Sequence, residues 1–213
     1  MSSAFDPESG FMNGLSRMVD TLILAILWLI CCIPVFTVGA SSAALYYAYH
    51  KSVRQDTGKV TKTFFRGFVS NFKQATGIWL VMLVCMSLSF VTCYLLLLTG
   101  GKFPLASAGL AMGGSLVIFG VIWCLYLFPY GARFENKASD VLKNSAILAV
   151  ANLPWSVLLL VIFVAAAALA VYKPALTVPA VSVYIWLGNG ILERIFRKLM
   201  TEEALQSEIE FDS

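Results

Sequence analysis

Asp, Glu, Lys and Arg are absent from five long stretches of this chain: residues 21–50, 74–101, 103–132, 144–172 and 174–192. A hydrocarbon layer about 30 Å thick takes roughly 20 apolar residues of helix to cross. Each stretch is about that long or longer. Apolar residues make up 59% of the chain and charged residues 13%, with a mean hydropathy of +0.81. Soluble domains carry roughly 25% charged residues. A soluble fold of this size has too little interior to hide so much apolar surface, so lipid is the natural solvent. In lipid every backbone group must be satisfied within the segment or within a closed barrel. The stretches lack the ten-residue alternation of barrel strands. The expected fold is therefore all-α: a polytopic helical membrane bundle forming one integral membrane domain over residues 1–213.

Basic residues give the bundle a sidedness. Six lie between the first two stretches: Lys51, Arg54, Lys59, Lys62, Arg66 and Lys73. The later connections hold Lys102 alone, then Arg133, Lys137 and Lys143, then Lys173 alone, and the tail holds Arg194, Arg197 and Lys198. Lys and Arg concentrate on the cytoplasmic side. Segments 51–73, 133–143 and 193–213 are accordingly expected in the cytoplasm, and the turns at Lys102 and Lys173 outside.

The first stretch is too long for one untilted span and is interrupted at 34–39. Pro34 removes a helix hydrogen bond, and the residues after it are β-branched or glycine. One reading has a single crossing, followed by a cytoplasmic or interfacial helix. The preferred reading has two helices joined by an outer turn, which makes six spans with five as the alternative and places both termini in the cytoplasm. The small residues of 41–48 suit a helix packed among others rather than one facing lipid. The expected helices are 12–33, 40–54, 76–98, 105–130, 146–171 and 175–198. Residues 1–10 are polar and slightly acidic, so the first apolar stretch reads as a retained span rather than a secretory signal.

The most patterned stretch outside the spans is 61–75. Phe64, Phe65, Phe68, Val69 and Phe72 fall within an arc of about 140° at 100° per residue. Lys62, Arg66 and Lys73 lie beyond one edge of that arc. Gly58 and Thr61 supply turn and cap chemistry before it. This predicts an amphipathic helix at the cytoplasmic interface. Its ordinary role is positioning; its sharper role is docking, with Phe64, Phe65, Arg66, Phe68, Phe72 and Lys73 as candidate partner contacts. Residues 135–145 lead into the fourth stretch in the same way. Residues 142–145 (LKNS) align with 72–75 (FKQA), a short echo of a helix-pair duplication. Glu193 and Arg197, four apart, suit an ion pair on the last helix. The acidic stretch 201–213 reads as a solvated tail.

Catalytic and cofactor chemistry is missing from the sequence. There is no HExxH, P-loop or GxSxG motif. Cys31, Cys32, Cys85, Cys93 and Cys124 lack metal or redox spacing, and one histidine, His50, supplies no ligand set. No cofactor, metal, enzymatic activity or nucleic-acid partner is expected. Ion-coupled transporters keep ionisable groups or broken helices near midplane, and no span here carries a charge in its middle. A neutral solute could still use Trp79, Trp123, Tyr126, Asn152, Trp155, Trp186 and Asn189, whose ordinary roles are anchoring and packing. Asn152 and Pro154 predict a kink, and Gly109, Gly113 and Gly114 allow close helix approach.

Three blocks taken together resemble a known family. They are 28–39 (WLICCIPVFTVG), 40–47 (ASSAALYY) and 64–75 (FFRGFVSNFKQA), with Pro34, Thr37 and Gly39 as the turn motif. Their order resembles the YesL family of bacterial integral membrane proteins, also called DUF624. The resemblance covers most of the chain and implies residence in the bacterial cell (inner) membrane. The family has no firmly assigned activity, and the resemblance implies a carbohydrate-utilisation context beside sugar ABC importers. The expected function is a non-enzymatic membrane accessory or assembly protein associated with importer permease subunits and surrounded by the lipid bilayer. A small sugar or glycan-fragment transporter or channel is the alternative.

Overall fold

The computed structural model describes residues 7–53, 59–98, 106–134 and 137–199. Arg54, Gly58, Lys102, Glu135 and the tail 201–213 lie outside the described residues. The order is α1 (Pro7–Cys31), a 3-10 turn (Val35–Thr37), α2 (Val38–Ala48), a π turn (Tyr49–Val53), α3 (Val60–Leu98), α4 (Ala106–Arg133), α5 (Ala138–Ala151), α6 (Leu153–Tyr172), a 3-10 turn (Pro174–Leu176), α7 (Thr177–Phe196) and a closing 3-10 turn (Arg197–Leu199). The described residues form helices and turns and contain no strand. Five helical segments are long and apolar enough to cross a membrane: Gly14–Cys32, Val60–Leu98, Ser107–Arg133, Leu153–Tyr172 and Pro174–Phe196.

α2 differs from these five. Its 11 residues span only about 16 Å, and they are surrounded rather than lipid-facing. Gly39, Ala40, Ser41, Ala43, Ala44, Leu45, Tyr46 and Ala48 are all buried. Gly39 meets α3 at Ala75 and Trp79, and Tyr47 meets it at Gly67. α2 thus runs antiparallel along 67–79 of α3. Farther along, α3 pairs with α4 through Gly109 against Leu96 and Gly113 against Cys93. Two of the three glycines of the expected close-approach motif therefore serve it. Gly114 faces open space.

The turn before α2 explains its own composition. Pro34 is extended (φ −76°, ψ 115°). The Thr37 hydroxyl lies 2.5 Å from the Cys31 carbonyl and 2.7 Å from that of Pro34. It occupies acceptors that the end of a helix leaves unpaired. Trp79 Nε1 donates to the Val35 carbonyl at 2.7 Å and fastens the turn to α3. A Cβ on Gly39 would lie 2.7 Å from the Ala75 carbonyl oxygen, 2.7 Å from Trp79 Cβ and 2.9 Å from the Phe128 ring. Only glycine fits there.

Two expected boundaries change. The interfacial helix at 61–75 and the span at 76–98 are one helix, α3, of 39 residues. No proline interrupts it, and Gly67 is held against Tyr47 rather than marking a turn. Conversely, the helix expected at 146–171 is two. Pro154 has no N–H to donate to the Val150 carbonyl, and Asn152 leaves helical geometry (φ −116°, ψ 42°). The expected kink is there, and a hydroxyl reaches two of the carbonyls beside it. Ser156 Oγ lies 2.7 Å from the Ala149 carbonyl and 3.1 Å from that of Asn152.

Because Gly39 sits against backbone rather than a flexible side-chain end, Gly39→Val should push α2 off α3. Overpacking of this kind costs about 1–3 kcal/mol or more. Thermal unfolding in detergent should show a midpoint lowered by several degrees. An unchanged midpoint would refute the close-approach account.

Candidate functional site: a buried charge cluster below an apolar cavity

The ends of α2, α4 and α7 that carry the basic connections converge on Glu193. Its side chain is 6% exposed and that of Arg133 is 7% exposed, so the pair is almost wholly out of solvent. Arg133 Nη1 lies 3.1 Å from Glu193 Oε1. The Tyr46 hydroxyl donates to the same oxygen at 2.5 Å. His50 Nδ1 lies 3.3 Å from it, and His50 Nε2 contacts Arg133 Nη1. Arginine has no acceptor, so Nε2 must accept and the ring proton faces Glu193. Arg197 completes the group, with Nε 3.9 Å from Glu193 Oε2, the i,i+4 pair expected from the sequence.

The helix geometry explains why the partners are needed. Glu193 lies near the C-terminal end of α7, where the helix dipole disfavours a carboxylate. Arg133 occupies the last turn of α4, where the dipole favours a cation. The cluster offsets one unfavourable placement with a favourable one. Aromatic rings seal it. Phe196 is fully buried and makes edge contacts with Tyr46, Tyr130 and Phe134 at 5.9–6.0 Å between centroids. Tyr46 also stacks on His50. Among the described residues, no three His, Cys, Asp or Glu side chains converge as a metal would require.

Beside this cluster lies a cavity of about 430 Å³ among α1, α2, α3, α4, α6 and α7. Its walls are overwhelmingly apolar, including Met86, Val121, Leu125, Phe163 and Ala166, and among the described residues no charged side chain lines it. Asn189 and Tyr46 stand at the wall nearest the charge cluster.

The six candidate docking residues divide. Phe64 is fully buried, which removes it from any docking face and makes it core. Its ring stacks on Phe68, which in turn packs on Phe72, and both of these are half-buried. The arc holds more aromatic surface than one free face would, because α2 and its π turn cover one side of α3. Phe65, Arg66 and Lys73 remain exposed, joined by Val69 and Lys62. Pro34, Thr37 and Gly39 form the turn described above and are structural.

Of the polar side chains that a solute could have used, most are engaged in packing. Trp79 bonds the Val35 carbonyl, Trp123 bonds Ser145, Tyr126 bonds the Ser156 hydroxyl, and Asn152 bonds the Leu148 carbonyl. Trp155 and Trp186 are exposed on the outside. Of these, Trp79 and Asn189 line the cavity, and the Trp79 N–H is already given to Val35.

Among the described residues, five long apolar helices and a short buried one packed against α1, α3 and α4 define a polytopic helical membrane protein. Residues 21–93 match the family model described as "Protein of unknown function, DUF624", consistent with a YesL-family DUF624 protein. The matched stretch contains the 34–39 turn, all of α2 and most of α3, and with them every block that carried the resemblance. None of the curated proteins and none of the solved structures matches the chain.

A buried ion pair broken on one side is costly, about 3–5 kcal/mol, because the remaining charge is uncompensated. Arg133→Leu and Glu193→Leu should each lower the unfolding midpoint in detergent sharply. The double variant should be less destabilised than the sum of the two. Strict additivity in that cycle would show that the two side chains do not act as a pair.

Proposed function

We propose that this chain is a non-enzymatic accessory or assembly protein that docks, through the basic end of its bundle, onto the permease subunits of a carbohydrate ABC importer in a bacterial membrane. The importer context comes from the family resemblance. The observation that supports docking is the free face of α3. At about 100° per residue, the buried residues Val60, Phe64 and Gly67 and the half-buried Phe68 and Phe72 occupy one side. Exposed Phe65 and Val69 follow, and Lys62, Arg66 and Lys73 form the next stripe. Phe65 is 47% exposed and Val69 74%. An apolar strip with a basic edge suits a partner helix bearing acidic residues.

Passage of a sugar is the weaker reading on physical grounds. A hydrophilic solute needs hydrogen-bonding walls, and the cavity offers almost none. Its charged end is closed by Phe196 and by groups that already bond one another.

Phe65→Glu combined with Val69→Glu alters the free face and costs the core one edge contact, that of Phe65 on Phe64. The variant should insert and unfold like the wild type, while recovery of importer permeases in co-purification falls at least several-fold. Equal recovery would sink the docking reading. Loss of membrane association together with recovery would assign the strip to lipid instead. Phe64→Glu, by contrast, should fail to fold.

A further inference from the structure

Asn189 is 8% exposed and lines the apolar cavity. Its amide nitrogen donates to the Ile185 carbonyl one turn back, at 2.8 Å. That bond fixes which end of the amide is which, since two carbonyl oxygens would repel. The other end, Oδ1, is buried with no hydrogen-bond donor among the described residues in reach. An unsatisfied buried acceptor costs about 1–3 kcal/mol, so its position in a cavity wall is informative.

Water is a poor candidate to satisfy it. A buried water takes two to four polar partners, and the surrounding wall is almost entirely carbon. The volume of about 430 Å³ falls in the lower half of the ~300–1,000 Å³ range of ligand pockets, which are mostly apolar with a few placed polar groups. An anionic or zwitterionic headgroup would find no counter-ion, because among the described residues no charged side chain lines the cavity. The nearby Glu193 and Arg133 are bound to each other.

We propose that the cavity is a binding site for a single-chain lipid with a neutral hydroxyl head. The hydroxyl donates to Asn189 Oδ1, and the hydrocarbon chain lies along Val121, Met86, Ala166 and Ala170. The residues and geometry involved are separate from the exposed face of α3, so the site stands whether or not that face docks a permease.

The test uses the full chain in lipid nanodiscs and hexadecanol carrying a mid-chain diazirine. Photolabelling should be saturable and should map to α3, α4 and α6. Unlabelled hexadecanol should compete about five-fold better than its methyl ether, the ratio expected for one hydrogen bond of about 1 kcal/mol. Asn189→Leu should erase that difference while keeping the labelling. Ala166→Phe should fill the cavity and abolish labelling, with Ala170→Phe serving if the first variant does not fold. Non-saturable labelling, or equal competition by alcohol and ether in the wild type, would overturn the proposal, and the wild-type comparison decides it without any variant.

Discussion

The packing of α1, α3 and α4 depends on a short helix, α2, whose contact points are mostly glycine and alanine. α2 presents Gly39, Ala40, Ala43, Ala44 and Ala48 to its neighbours, all buried. With no hydrophobic driving force between helices in lipid, small residues that let backbones approach are what hold such helices together. Gly39 is the limiting point, since α3 backbone, the Trp79 stem and the Phe128 ring all meet where its Cβ would be. Were α2 bulkier, α1, α3 and α4 would have to move apart. The Thr37 and Trp79 hydrogen bonds then set the angle at which α2 enters.

The second constraint follows from the first. A close-packed α2 carries its end, with Tyr46 and His50, into the space between α4 and α7. Two ionised side chains buried there would each be prohibitively costly alone. They are tolerated because Arg133, His50, Tyr46 and Arg197 all address one carboxylate. A buried ionic group of this kind is weak evidence for stability. What it does is tie three chain ends, separated by up to 147 positions in sequence, to one point.

Much of the architecture was legible because lipid leaves little choice. The uncharged stretches predicted helices, and the interruption at Pro34 and the kink at Asn152 were both readable from proline's missing donor. That the amphipathic stretch 61–75 feeds directly into the next span was readable too, but that the two form one unbroken helix was not. An amphipathic arc looks the same whether its helix lies on a membrane or continues into a span, and only packing against α2 distinguishes the two. Burial of Phe64 was hidden for the same reason. The charge cluster was readable only in outline. His50, Arg133 and Glu193 each stand at the edge of an uncharged stretch, on the ends that charge counting assigns to one side. Taken singly, they read as an interface belt, a topology marker and a local ion pair. That they meet depends on the tilt and rotation of three helices, which the periodicity of one helix cannot specify.

Two facing stripes connect the cavity to the cluster. On α2 and the π turn that continues it, Ser42, Tyr46 and His50 follow one another at intervals of four. On α7, Ile185, Asn189 and Glu193 do the same. Helical spacing puts each set on one face, and Tyr46 joins the stripes by donating to Glu193. Polarity therefore rises along the pair, from apolar wall to hydroxyl and amide, then phenol, then ions. Such a gradient suits an amphiphile, whose chain and head ask for different surroundings. It suits a sugar poorly, because a sugar asks for polar groups along its whole path. The Phe196 ring, wedged among Tyr46, Tyr130 and Phe134, closes the polar end.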